Sequence, residues 1–264
     1  METRSVSMRR RLVCALLVLV LALAGACRSP FSGDLSEADT AYDEGNYYQA
    51  QRLYENYLQT KPQGERRWEA WNRLLDIAVL LENDLPKATQ LLEAMLLEYA
   101  EDPDRTGVLR LRLARAYTEM AQWDKALEAW QAVLFDAHQP MPEWKVHWNM
   151  GKIYQFQGKY AQARESMSRC REMAVSGVDK ARCSYDLALA NSFLGQRDQA
   201  RQWLEKAIAE PEASDELKAL SGYLLAEILE IDGKKAEARD ILESIRHTYP
   251  NPKAVELRLR RLEE

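Results

Sequence analysis

Along most of this chain apolar residues return at helical intervals and polar residues fill the gaps. One stretch carries Trp123, Ala126, Trp130, Val133 and Leu134 on one face at helical period. Just before it, Leu113, Ala114 and Tyr117 fall at i, i+1 and i+4, again one face. The two faces are separated by a short polar turn, so the unit reads as a helical hairpin. The same hairpin returns along the chain. Ala50, Ala88, Ala126, Ala163, Ala200 and Ala238 mark it at spacings of 38, 38, 37, 37 and 38 residues. Each has a bulky residue three before it and a large apolar residue four after it. A hairpin of this size cannot bury its apolar face alone, so neighbours must stack. No alternating strand pattern of useful length is present.

The units support one another in detail. The first runs Gly45-Asn46-Tyr47-Tyr48-Gln49-Ala50, then Tyr54 and Tyr57-Leu58. The fourth has Met150-Gly151, Tyr154, Gly158-Lys159-Tyr160 and Ala163. The fifth has Leu187-Ala188, Gly195 and Ala200, then Leu204 and Ala207, and the sixth has Leu225-Ala226, Gly233, Ala238, Leu242 and Ile245. The second, Leu85-Pro86-Lys87-Ala88 with Leu92, has no turn glycine. A second small residue, twelve before each beat, is Ala38, Ala114, Gly151, Ala188 and Ala226, but Asp76 in the second unit. That exchange predicts a local distortion there. Pro86 suits the first turn of its helix. Asn251-Pro252 predicts a final helix to about Leu262, whose Glu256, Arg258, Arg260 and Arg261 suit a polar solenoid cap. Trp68, Trp71, Tyr47, Tyr54 and Tyr57 are expected in the core of the first two units.

These motifs resemble the tetratricopeptide repeat family over roughly residues 35–250. The resemblance implies an all-α, right-handed α-solenoid of about six helix-turn-helix repeats plus a C-terminal capping helix, over residues 35–264. It implies a binding surface, not an enzyme. It also implies a concave groove lined by the stripe of each first helix opposite its packing face, at i, i+3, i+7 and i+10. That stripe is Val108, Leu111, Arg115 and Thr118 in repeat three, and Lys145, Trp148, Lys152 and Gln155 in repeat four. In repeat five it is Arg182, Tyr185, Leu189 and Ser192, and in repeat six Leu220, Tyr223, Glu227 and Glu230. The candidate partner-binding residues are Arg115, Lys145, Trp148, Asn149, Lys152, Arg182 and Tyr185. Their cations fit an acidic segment or terminal carboxylate of a protein or peptide partner, and their aromatics supply apolar contact. The alternative is that the aromatics pack against neighbouring helices and the cations are ordinary surface charge.

The N-terminus carries a different signal. Arg9-Arg10-Arg11 precedes an apolar run from Leu12 to Ala24. A basic head and a run too short for a comfortable membrane span describe a secretory signal. The run ends in Leu23-Ala24-Gly25-Ala26-Cys27, which resembles the lipobox of bacterial lipoproteins, with Ala24 where that family favours leucine. The resemblance implies a signal peptide over residues 1–26, lipidation of Cys27, and a short tether over 27–34. Ordinary cleavage to a soluble product and an uncleaved anchor are the alternatives. Arg28 stands where an inner-membrane retention aspartate would, so in a Gram-negative cell the expectation is the outer membrane, facing the periplasm.

Processing changes the charge. Residues 1–26 hold four arginines and one glutamate, which leaves 32 basic and 40 acidic side chains, a net of −8. That argues against a nucleic-acid binder. Two cysteines remain beyond Cys27: Cys170 near the end of the fourth repeat's second helix, and Cys183 near the start of the fifth repeat's first. An oxidising compartment allows a disulfide between them, and two buried thiols are the other reading. No nucleotide loop, paired-histidine metal motif or serine nucleophile motif is present, and His138, His147 and His247 are scattered. No cofactor, metal or catalytic residue is expected. Two functions remain: an envelope scaffold for assembly, secretion or pilus biogenesis, similar in layout to the tetratricopeptide lipoprotein of the β-barrel assembly machinery, or a transporter-associated periplasmic ligand-binding protein.

Overall fold

The computed structural model describes residues 35–136, 138 and 140–263. The signal segment, Cys27 and nearly all of the tether lie outside the described residues. Thirteen α-helices and no strand are found among them. None of those helices is long and apolar enough to cross a membrane. The helices pair in the predicted order. They are α1 (Ser36–Asp43) with α2 (Tyr47–Thr60), and α3 (Arg67–Asp76) with α4 (Leu85–Glu98). Next come α5 (Pro103–Glu119) with α6 (Trp123–Leu134), and α7 (Glu143–Phe156) with α8 (Tyr160–Met173). The last pairs are α9 (Gly177–Phe193) with α10 (Arg197–Ala209), and α11 (Asp215–Ile231) with α12 (Lys235–Ile245). The cap α13 (Pro252–Glu263) follows.

The described residues form two compact units that divide after Leu91, inside α4. In the first, Ala38, Ala50, Tyr54, Tyr57, Ala70, Leu74 and Ile77 form a core edged by Tyr42, Tyr47 and Trp71. Trp68, expected there too, is half-buried. The Tyr54 hydroxyl donates to Asp39 at 2.8 Å, and Arg66 pairs with the same carboxylate at 2.8 Å. In the second unit successive hairpins stack, with α7, α9 and α11 each packing between its own partner and the second helix before it. This is the packing of an α-solenoid.

All six beat alanines are fully buried. At Gly151 an added Cβ would meet Met167 Cε at 2.7 Å, so a larger residue there requires the Met167 side chain to shift. Five residues before each beat the backbone enters the left-handed region: Gly45, Asn83, Ala121, Gly158, Gly195 and Gly233 all have φ between 51° and 78°. The turn therefore exists in all six repeats, although only four supply the glycine that adopts it without cost. Asp76 is followed by a π-helical turn, Ile77–Leu81, whose extra residue puts Ala78 in the core. This is the distortion expected of the second repeat. Side-chain caps open several helices. Asp102 accepts from Arg105 N, Ser176 from Asp179 N and Ser214 from Leu217 N.

The capping helix differs from a plain polar end. Arg258 is buried, and its Nε donates to Glu230 at 2.6 Å. Its guanidinium also lies 4.8 Å from the Tyr223 ring centroid. The last helix thereby fills the end of the stripe on α11.

Candidate functional site

The stripe of the first helices in the second unit is the candidate site. Its spine is one register, fifteen residues before each beat: Leu111, Trp148, Tyr185 and Tyr223. Trp148 is half-buried against the cluster of Trp144, Cys170, Ala174 and Cys183. Tyr185 rests against the core of the last two repeats, and burial raises its phenol pKa. Tyr223 stacks on Tyr249 with ring centroids 4.4 Å apart. These rings are floor more than free surface.

The cations sort into two groups. Arg115, Lys145 and Arg182 are exposed and form no ion pair with a described residue. Lys145 Nζ lies 5.3 Å from the Trp144 ring centroid. Lys152 is different. Its Nζ is 3.2 Å from Oδ1 of Asp186, whose side chain is only 4% exposed. Trp148 Nε1 donates to the other oxygen of Asp186 at 2.7 Å, and Gln155 donates to the Asp186 carbonyl at 3.0 Å. A buried carboxylate is costly unless paired and hydrogen-bonded, and Asp186 is both. Lys152 and Asp186 therefore form a neutral pair. Asn149 donates to the Lys145 carbonyl at 2.7 Å within its own helix. Further along, Glu227 and Glu230 share the single guanidinium of Arg258 at 3.7 and 2.6 Å. The stripe thus runs from basic on α5, α7 and α9 to acidic on α11.

Asp186 is the residue that sequence reasoning missed. The one available signal was a carboxylate set between Ser184 and Ala190 in an otherwise small and apolar run.

Cys170 and Cys183 are joined as a disulfide, with Cα atoms 5.8 Å apart. No group of metal-ligating side chains occurs among the described residues.

The repeated buried alanines, the six left-handed turns and the stacked hairpins define an interaction solenoid. Family models described as tetratricopeptide repeat match residues 35–105 and 145–209, and a third matches 109–134 and 220–252. Together they take in well over half of the sequence, and the chain belongs to the tetratricopeptide repeat family. The family is in general a protein-interaction fold without enzymatic activity. No curated protein matches the chain in sequence. Several solved structures match in fold. The C-terminal part of a TPR repeat-containing protein from Cytophaga hutchinsonii is 14% identical with a TM-score of 0.56, over 81% of this chain and 78% of that one. MamA from Desulfovibrio magneticus RS-1 is 14% identical with a TM-score of 0.55, over 69% and 94%. BtubC from P. vanneervenii is 17% identical with a TM-score of 0.54, over 85% and 95%. These are likenesses of fold.

Proposed function

We propose that the protein is a lipid-anchored interaction scaffold of the bacterial cell envelope, and that the stripe on α5, α7 and α9 holds an acidic segment of a partner protein. The observation that carries the groove reading is the unpaired exposed set Arg115, Lys145 and Arg182 beside Trp148 and Tyr185, in a chain that is acidic overall. Cations without internal ion pairs can form charge-assisted bonds to carboxylates, and the neighbouring rings add desolvated apolar contact. Lys152 positions Asp186 and Trp148 and does not take part as a free charge.

The anchor rests on the Leu23–Cys27 motif, with Arg28 favouring the outer membrane facing the periplasm in a Gram-negative cell. Envelope assembly, secretion and pilus biogenesis are the settings it fits. Labelling with an alkyne fatty acid tests this half: the wild type takes up label and stays with the membrane fraction, while Cys27→Ala does neither. Unlabelled wild-type protein in the soluble fraction would remove the anchor. For the groove, the triple change Arg115→Glu, Lys145→Glu, Arg182→Glu is expected to abolish partner capture with helicity and midpoint unchanged. Equal capture would end that reading.

A further inference from the structure

The turns that join the first helix of each hairpin to the second carry a row of exposed apolar side chains. Seven residues before the beat stand Phe156, Phe193 and Ile231 in repeats four, five and six. They are 68%, 63% and 61% exposed. The ring of Phe156 stacks on Trp123 of the preceding repeat with centroids 5.4 Å apart, and that of Phe193 stacks on Tyr160 at 4.4 Å. The position of Trp123 and Tyr160, three before the beat, holds Arg197 in repeat five, and Ile231 follows it at the next turn. Trp123, Phe156, Tyr160, Phe193 and Ile231 therefore line one edge of the second unit.

Packing between repeats does not account for the row. Stacking covers one face of each phenylalanine, and most of each side chain still meets water. Single exposed apolar residues are ordinary, but a contiguous row at one register marks a contact surface for a protein or a membrane. In the first unit the side chains near the corresponding turns also include exposed Tyr48 and Leu80. Among the rings stand Lys159, Arg197 and Lys235, and against them the carboxylates of Asp124, Asp198 and Asp232. The edge is therefore near neutral, and its apolar side chains decide what it meets.

We propose that this edge lies in the headgroup layer of the membrane that carries the anchor. The proposal rests on the membrane anchoring put forward above. The described chain begins at Leu35, and Cys27 stands eight residues before it. An extended tether of that length reaches at most about 30 Å, so lipidation keeps a bilayer beside the folded chain. An uncleaved apolar run ending at Ala24 holds it almost as close. Trp and Tyr settle at membrane–water interfaces, and Phe enters the boundary of the acyl chains. A row that projects from successive turns meets a flat lipid surface with its rings at one depth. Contact along this edge stands α7, α9 and α11 on their C-terminal ends and leaves the basic stripe open to the side.

The test uses the full chain purified from cells and reconstituted in phosphatidylethanolamine–phosphatidylglycerol vesicles whose acyl chains are brominated near the headgroup. Phe156→Trp and Phe193→Trp each add one indole to the row. Val175→Trp adds one in the connection between α8 and α9, at the other end of the hairpins, where Val175 is also exposed. The emission that each adds over wild type is compared in brominated and plain vesicles. The two row indoles should lose most of theirs to bromine, and the Val175→Trp indole should keep its own. Adding Phe193→Ser and Ile231→Ser should weaken quenching at Phe156→Trp with the unfolding midpoint unchanged, because both positions are exposed. Lipid-labelled, membrane-bound protein whose row indoles are quenched no more than Val175→Trp would overturn the proposal and leave the anchor standing. Unquenched, blue-shifted row emission that grows with protein concentration would also overturn it, by assigning the edge to a second copy. If the alkyne label finds no lipid on Cys27, the anchor falls, and the same chain is mixed with the same vesicles. Quenching of the row indoles then keeps the edge as a lipid contact, and its absence overturns that as well.

Discussion

Repeats three and four meet through the same register positions as repeats four and five, yet the two junctions behave differently. At the first, Leu111 and Arg115 on α5 stand opposite the position of Asn149 on α7. At the second, Trp148 and Lys152 on α7 stand opposite Asp186 on α9, and all three are bonded together. An amide in one place and a carboxylate in the other decide which cation is free. The same shift changes the core behind the stripe. Val133 and Val146 are both buried at the first junction, and the equivalent residues at the second are the bonded Cys170 and Cys183. The same register positions thus give one junction an available charge and the other a locked one. A stripe read from one helix cannot tell them apart, because the deciding residue lies on the next.

The comparison breaks most visibly under charge reversal. Lys152→Glu sets a carboxylate against buried Asp186 and should cost about 2–4 kcal/mol, below the full penalty of a sealed pair because a third of the lysine side chain reaches water. Arg115→Glu, at the equivalent position, should stay within about 0.5 kcal/mol. Urea denaturation of both variants measures the gap, and equal losses would contradict the distinction. Next in size is the disulfide. Converting Cys170 and Cys183 to valine copies the first junction. Closing a loop of about 15 residues is worth about 3 kcal/mol in the chain-entropy account, and restored valine packing offsets part of it. A net loss of about 1–2 kcal/mol is expected under oxidising conditions and none against reduced wild type.

Turn chemistry gives a smaller effect of opposite sign. Ala121 and Gly158 open the second helices of repeats three and four with φ of 54° and 69°. Ala121→Gly relieves a left-handed alanine and should stabilise by about 0.5–1 kcal/mol, while Gly158→Ala should destabilise by about 1 kcal/mol. Thermal melts of the two, moving in opposite directions, would sharpen the comparison.

Smallest is a pH effect beside Trp148. Burial lowers the pKa of His147, with Glu143 3.8 Å away opposing the shift. The unfolded chain then takes up the proton first as pH falls below about 6.5. Stability from this group is present above that value and is lost on acidification. His147→Gln should flatten the fall in Tm between neutral and mildly acidic pH. An unchanged slope would assign the fall elsewhere.

Much of this was legible in the sequence because it is local and repeated. The beat alanines, the hairpin order, the cap at Asn251 and the disturbed second repeat follow from period and residue size. Asn83 and Ala121 were silent because a left-handed turn is a backbone state that glycine eases but does not define. Asp186 and Arg258 were silent for another reason. Their partners lie 34 to 38 residues away for Asp186 and 28 residues away for the closest carboxylate of Arg258. Only stacking reveals which carboxylate meets which cation.

The central claim is that Arg115, Lys145 and Arg182 are the charges a partner meets, and that Lys152 is not. The most direct test is crosslinked capture from native cells in mild detergent, with the proteins recovered by wild type, the triple charge reversal and Asn149→Asp compared quantitatively. The account predicts a specific envelope partner recovered by wild type, lost from the triple variant, and reduced in Asn149→Asp, where the new carboxylate captures Arg115. Equal recovery by all three folded proteins would contradict it.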